Sequence, residues 1–160
     1  MKTSQEDSRF CIEENGKLNE KTIKLTGVID EFADLSFFSR LTGRNEINLS
    51  GVRRINSFGV RIWMDAVRKV AEDVELTFVD ISPPLVEQLN MIQGFMGKGV
   101  IESFQVPLIC TECEYEESVT CPTAGFTKEK SIYGRKCPEC MHPMELDDLE
   151  EQYLGFIRTI

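Results

Sequence analysis

Four of the six cysteines stand in two Cys-x-x-Cys pairs, Cys110/Cys113 and Cys137/Cys140. Thiolates are soft ligands, and two residues between paired sulfurs let a tight knuckle aim both at one ion. The 23 residues between Cys113 and Cys137 suffice for a hairpin that brings the second knuckle opposite the first. Pro138 inside the second pair and Pro122 between the pairs supply turn chemistry. The pattern predicts a ribbon closed around one structural zinc ion. With all four positions filled by protein, no place is left for a catalytic water.

Two disulfides would staple the same segment only in an oxidising compartment. Met1 to Arg9 is polar and charged, with no apolar core for a signal peptide, and no apolar run is long enough to span a bilayer. The expectation is a cytoplasmic chain with reduced thiols and no membrane contact. Cys11, in an apolar–polar alternation, reads as a buried small hydrophobe. Cys121 reads as a spare thiol or a substitute ligand. His142, the single histidine, is an alternative ligand two residues past Cys140. Met141 follows the second knuckle at a position where glycine would turn most easily.

Other chemistry is scarce. One histidine beside a metal cluster builds no nucleophile–base pair, no Gly-rich phosphate loop is present, and nothing selects two carboxylates among 27. The chain is not expected to be an enzyme. Its formal charge is -9, with 13 basic and 16 acidic side chains over residues 1–107 against 5 and 11 over 108–160. Nucleic-acid affinity needs Lys and Arg against phosphates, so the acidic ribbon points to a protein partner.

The elements that must position these groups read as a mixed α/β pattern. Residues 9–14 and 22–29 alternate as strands, with Asn15-Gly16 as the turn between them. A short helix is expected from Asp34 to Leu41, a short strand over Glu46 to Leu49, and a helix from Gly59 to Val70 with Ile62, Trp63, Ala66, Val67 and Val70 inward. Val74 to Val79 reads as a strand. Pro83-Pro84 opens a helix capped by Ser82, with Leu85, Val86, Leu89 and Ile92 buried, and a last strand lies near Val100 to Val106. This order predicts a mixed β-sheet with helices packed on one face over residues 1–106, and a zinc-ribbon module over 107–160 with Pro107 at the boundary. The acidic stretch Glu145 to Glu151 precedes Tyr153-Leu154-Gly155-Phe156-Ile157, an apolar cluster expected to fold back on the ribbon or the sheet and supply core, the alternative being a docking segment for a partner or a second copy.

Three segments of the first unit carry a resemblance. Gly27-Val28-Ile29-Asp30, the run Ile55-Asn56-Ser57-Phe58-Gly59-Val60, and Asp80-Ile81-Ser82-Pro83-Pro84-Leu85 followed by Leu89 and Gly94-Phe95 resemble, in order, the landmarks of the STAS domain. That fold is shared by anti-sigma factor antagonists and the cytoplasmic tails of sulfate transporters. The resemblance covers about the first 105 residues and leaves the ribbon as an appendage. It implies a bacterial regulatory module whose signature serine, here Ser57, accepts a phosphoryl group from a serine kinase that doubles as an anti-sigma factor. Asp30, Asn56, Ser57, Phe58, Gly59 and Arg61 would face that partner. Where the family has an aspartate before the acceptor, this chain has Asn56.

The helix start itself favours a phosphate at Ser57, with Arg53, Arg54 and Arg61 nearby. The plain alternative is that Ser57 only caps the helix. Competing functions are a redox or metal sensor acting through the cysteines, and a structural adaptor without phosphorylation. A second copy of the chain is a further candidate partner.

Overall fold

A computed structural model describes residues 9–160, so Met1 to Ser8, on which the reading of a polar start mostly rests, lie outside the described residues. Strands β1 (Cys11–Lys17) and β2 (Glu20–Ile29) form an antiparallel hairpin. Strands β3 (Arg44–Ile55), β4 (Glu75–Val79) and the two-residue β5 (Val100–Ile101) then add in parallel, giving the order β1-β2-β3-β4-β5. Helices α1 (Ser57–Arg68) and α2 (Pro83–Met91) connect the parallel strands. This is the mixed α/β unit that the alternation of strand and helix periods predicts.

Its core lies on the side where the connections meet. Alternate residues of β2 and β3 are buried (Ile23, Leu25, Ile29; Ile47, Leu49), while Thr22, Lys24 and Glu46 of the opposite face are exposed. Trp63 of α1 is the hub. It meets Phe38 edge-on at 5.4 Å, Phe78 of β4 at 5.9 Å and Phe95 beyond α2 at 5.8 Å, and its indole N–H donates to the Phe95 carbonyl at 2.9 Å. Edge-on and offset ring contacts of this kind add to plain area burial.

Several local expectations change. The hairpin turns at Leu18-Asn19, not at Asn15-Gly16, which pair with Thr22 and Lys21 inside the ladder. Gly16 still needs to be glycine, with φ of +112° close to the Glu20 carbonyl. The helix expected over Asp34 to Leu41 shrinks to a five-residue 3-10 turn at Ser36–Arg40, which Asp34 starts by accepting the Ser36 N–H. The short strand over Glu46 to Leu49 extends to twelve residues. Ser82 sits at the N-cap of α2, yet its hydroxyl is buried without a partner, and the two prolines that follow have no N–H to offer it. Cys11 is exposed: Phe10 and Ile12 take the inward side of the edge strand, which turns Cys11 outward.

The strand expected over Val100 to Val106 is divided. After β5 the chain enters β6 (Ser103–Cys110), the middle strand of a second, antiparallel sheet ordered β7-β6-β8, with β7 at Glu116–Pro122 and β8 at Met144–Leu146. Pro107 lies inside β6 opposite Ser118. It accepts the Asp147 N–H at 2.9 Å but has no N–H to return, and β8 ends one residue earlier, at Leu146. Two short helices, α3 (Lys128–Ser131) and α4 (Glu150–Tyr153), flank this sheet.

The two sheets share one core. Phe104, opposite Cys121 on β7, contacts Phe126 at 5.3 Å and Phe156 edge-on at 5.0 Å. The C-terminal apolar cluster folds back as its composition suggests, with Tyr153, Leu154 and Phe156 all buried. Asn90 of α2 anchors it by donating to the Tyr153 carbonyl at 2.8 Å and accepting the Phe156 N–H at 2.7 Å. The Tyr153 hydroxyl donates to the Gln105 carbonyl on β6.

Candidate functional site

The four paired cysteines come together at one end of the second sheet. Cys110 closes β6, and the turn after it carries Cys113. Cys137 and Cys140 lie on the turn that leads back into β8. All four sulfurs lie within 4.8 Å of one another. Cys110 Sγ and Cys140 Sγ are 3.5 Å apart, as are Cys113 Sγ and Cys137 Sγ, so each of these close pairs crosses between knuckles. A disulfide requires about 2.05 Å. A metal–sulfur distance of about 2.3 Å in a tetrahedron puts sulfurs roughly 3.8 Å apart. The spacing fits a shared ion, and the four cysteines could hold one.

The two knuckles are built alike. Cys110 and Cys137 donate their N–H groups to the carbonyls of Tyr115 and His142, both at 2.8 Å. Glu114 and Met141 return theirs to Cys110 and Cys137, both at 2.9 Å. Glu114 and Met141 have positive φ, 61° and 66°. Met141 therefore does take the glycine-like turn, and Glu114 does the same in the first knuckle.

Backbone N–H groups also point at the sulfurs. The Cys110 thiol is drawn down to about 7, first by the N–H of Cys113, against its burial and with help from the Glu112 N–H. The Tyr115 N–H pulls on Cys113 in the same sense, but burial and the thiols of Cys137, Cys140 and Cys110 push it up to about 12. Four thiols this close cannot all ionise without a cation among them, and a divalent ion removes that opposition.

Neither alternative ligand joins the cluster. His142 is exposed and takes part through its backbone. Cys121 sits on β7, 2% exposed, with burial pushing its thiol up. An accessible, readily ionised thiol is what a redox sensor needs, and Cys121 is not one. Pro122 closes β7 and Pro138 lies in the second knuckle turn.

At the other unit, the structure brings Asp30, Asn56, Ser57, Phe58 and Gly59 to the carboxyl ends of the parallel strands β2 and β3. Ser57 is exposed and is the first residue of α1. The cap is Asn56, not Ser57: its Oδ1 accepts the Gly59 N–H at 2.8 Å. The Val60 N–H goes to the Asn56 carbonyl, leaving the N–H groups of Ser57 and Phe58 at the open helix end. Gly59 is buried because α1 abuts β2 there, and a Cβ would run into the Ile29 carbonyl.

Asp30 accepts the Phe32 N–H at 3.0 Å and shapes the loop after β2. Two phenylalanines stand in the open, Phe58 next to Ser57 at 58% and Phe32 in the loop after β2 at 86% exposure. Arg53, Arg54 and Arg61 are exposed. A cleft of about 510 Å³ opens beside the loop, lined by Asp30, Phe32, Phe37 and Arg40 among others.

Sequence reasoning missed Glu31 and Phe32. Only the fold of the loop after β2 brings Glu31 to Asn56 at the start of α1, although a phenylalanine among the acidic residues Asp30, Glu31 and Asp34 is a visible signal. No helix among the described residues is long and apolar enough to cross a membrane. No family model matches the chain, and no curated protein matches it either.

Proposed function

We propose that this chain is a regulatory protein-interaction module of the anti-sigma factor antagonist type, with a STAS-like first unit, switched by phosphorylation of Ser57 and stapled by one structural zinc ion. The observation that carries the switch is the placement of Ser57: exposed, at the first turn of α1, beyond the carboxyl ends of two parallel strands. Ligand chemistry in open α/β sheets collects at that edge. A kinase would transfer the γ-phosphoryl of a nucleoside triphosphate to the Ser57 oxygen. The hydroxyl proton would pass to the kinase and the nucleoside diphosphate would leave. The new group adds about -1.5 to -2 charges at a helix end suited to receive them.

The exposed Phe58, next to the acceptor, and Phe32, in the loop that Glu31 ties to Asn56, supply the apolar contacts a partner needs. Such a partner would meet the unphosphorylated face and be repelled by the phosphorylated one. The four-sulfur set supports zinc because tetrahedral thiolate coordination with no open position is a structural zinc arrangement. Zinc there would hold β6, β7 and β8 together.

The test is native mass spectrometry of the protein recovered from its own cells, followed by peptide mapping. One zinc per chain and a phosphorylated fraction at Ser57 are expected. Ser57→Ala and Ser57→Asp should then differ in partner binding, Asp binding more weakly. Complete absence of phosphate at Ser57 across growth conditions would remove the switch and leave a constitutive adaptor.

A further inference from the structure

The side chain of Asn56 is used at both ends. Its oxygen caps α1 through the Gly59 N–H at 2.8 Å, and its Nδ2 donates to Glu31 Oε2 at 3.2 Å. An aspartate could make the first of these bonds but would turn a second carboxylate toward Glu31. Asn56 and Glu31 are therefore a matched pair, and the negative charge absent from position 56 is carried by the loop after β2.

Few other hydrogen bonds hold the start of that loop, and its next anchors are the buried Ala33 and Leu35. Asp30 Oδ1 accepts the Phe32 N–H, and the Asp30 carbonyl accepts the Ala33 N–H at 3.1 Å. Both bonds are internal to the loop. The Glu31–Asn56 bond is the side-chain hydrogen bond that ties it to α1, and Phe32, 86% exposed, is the next residue.

We propose that Glu31 is the charge sensor of the Ser57 site: a phosphoryl group on Ser57 repels the Glu31 carboxylate, breaks its bond to Asn56 and loosens the exposed stretch Glu31-Phe32 ahead of the buried Ala33. The inference rests on Ser57 as phosphoacceptor. The repulsion follows from placing about two negative charges on the residue next to the Glu31 anchor. The Glu31 carboxyl is held below its ordinary range by its own backbone N–H and then by the Asn56 amide. It is thus ionised near neutral pH and open to that repulsion. The cap at Gly59 does not depend on Glu31, so α1 stays formed while that stretch moves. One covalent event then changes both the charge beside Phe58 and the position of Phe32.

The test needs no kinase. Full-length, zinc-loaded protein is made with phosphoserine installed at position 57 by codon reassignment, and compared with the serine form by NMR. The side-chain amide pair of Asn56 and the ring protons of Phe32 are followed. Phosphoserine should move both Asn56 amide resonances and speed their exchange with water by about tenfold, while the Gly59 amide stays protected. In Glu31→Gln, whose exposed side chain keeps the bond without charge, the same phosphoserine should leave the water exchange of the Asn56 pair nearly unchanged. Equal exchange responses in the wild-type and Glu31→Gln proteins, or no response in either, would overturn the sensor. Neither result touches the phosphoacceptor reading, which stands or falls on phosphate at Ser57 in cells.

Discussion

The side chains around Ser57 divide their labour in ways that substitution can separate. Gly59 is small because α1 starts against the Ile29 carbonyl. Gly59→Ala should lower stability by about 1–3 kcal/mol through forced displacement of the helix, read as an earlier urea midpoint in Trp63 fluorescence. Asn56 tests the cap. Asn56→Ala removes the acceptor for the Gly59 N–H and should cost about 1 kcal/mol. Asn56→Asp keeps that acceptor but sets two carboxylates together at Glu31, so its stability should fall below wild type at neutral pH and recover on acidification. The comparison of melting temperatures at pH 5 and pH 7.5 distinguishes the two. Ser57 was recognisable at a helix start from the sequence. Its neighbour's role was not, because Asn and Ser are equally good caps and only the geometry shows which oxygen reaches Gly59.

At the level of elements, the C-terminal segment is held by contacts that can be loosened one at a time. Asn90→Ala strands the Phe156 N–H and the Tyr153 carbonyl, and should cost about 1–3 kcal/mol. Hydrogen exchange at Phe156 is the readout, and it should accelerate well before α1 does. Glu150 bonds Lys128 and Tyr133 and links α4 to the α3 region. Lys128 first, then Tyr133, hold its carboxyl below the ordinary glutamate range. A depressed carboxyl stabilises above its unfolded value and loses that contribution as the pH falls through the folded one. Exchange in α4 should therefore rise on acidification through the lower glutamate range, and Glu150→Gln should flatten that dependence.

Which elements were readable follows from how local their signals are. Trp63, Ala66 and Val67 mark α1 by their own period, and the cysteine spacing marks the knuckles. Strand β6 was misjudged because proline usually ends a strand. Here Pro107 occupies a place where one neighbouring ladder stops, a fact that depends on Asp147, far along the chain. The same non-locality hid Glu31, whose significance depends on Asn56.

Across the whole molecule, β6 ties the four-cysteine end to the helical end. Cys110 lies at one end of the strand and Phe104 at the other, where it meets Phe156 on α2's side of the core. With the proposed ion bound to the four cysteines, a strong chelator should release the two knuckles and lower the melting temperature by roughly 2–4 °C for each kcal/mol lost. Trp63, buried in its own aromatic cluster, should keep its native emission at about 25 °C in the chelated protein. Loss of the Trp63 signal on chelation alone would mean that the first unit cannot stand without the second.

The way the sheets end has a bearing on how the chain behaves when concentrated. Strands β1 and β7 each close one side of a sheet, with no further strand beside them among the described residues. Unpaired strand edges invite a second chain to add on, the first step toward fibrils. Each of these carries two consecutive glutamates, Glu13-Glu14 on β1 and Glu116-Glu117 on β7. Because neighbours along a strand point to opposite faces, each pair sets acidic charge on both faces of its edge, although Glu14 is itself paired with Lys21 at 3.3 Å. This acidity should oppose the zipping together of copies of this chain, and the protection should fail first near the isoelectric point of about 4.7.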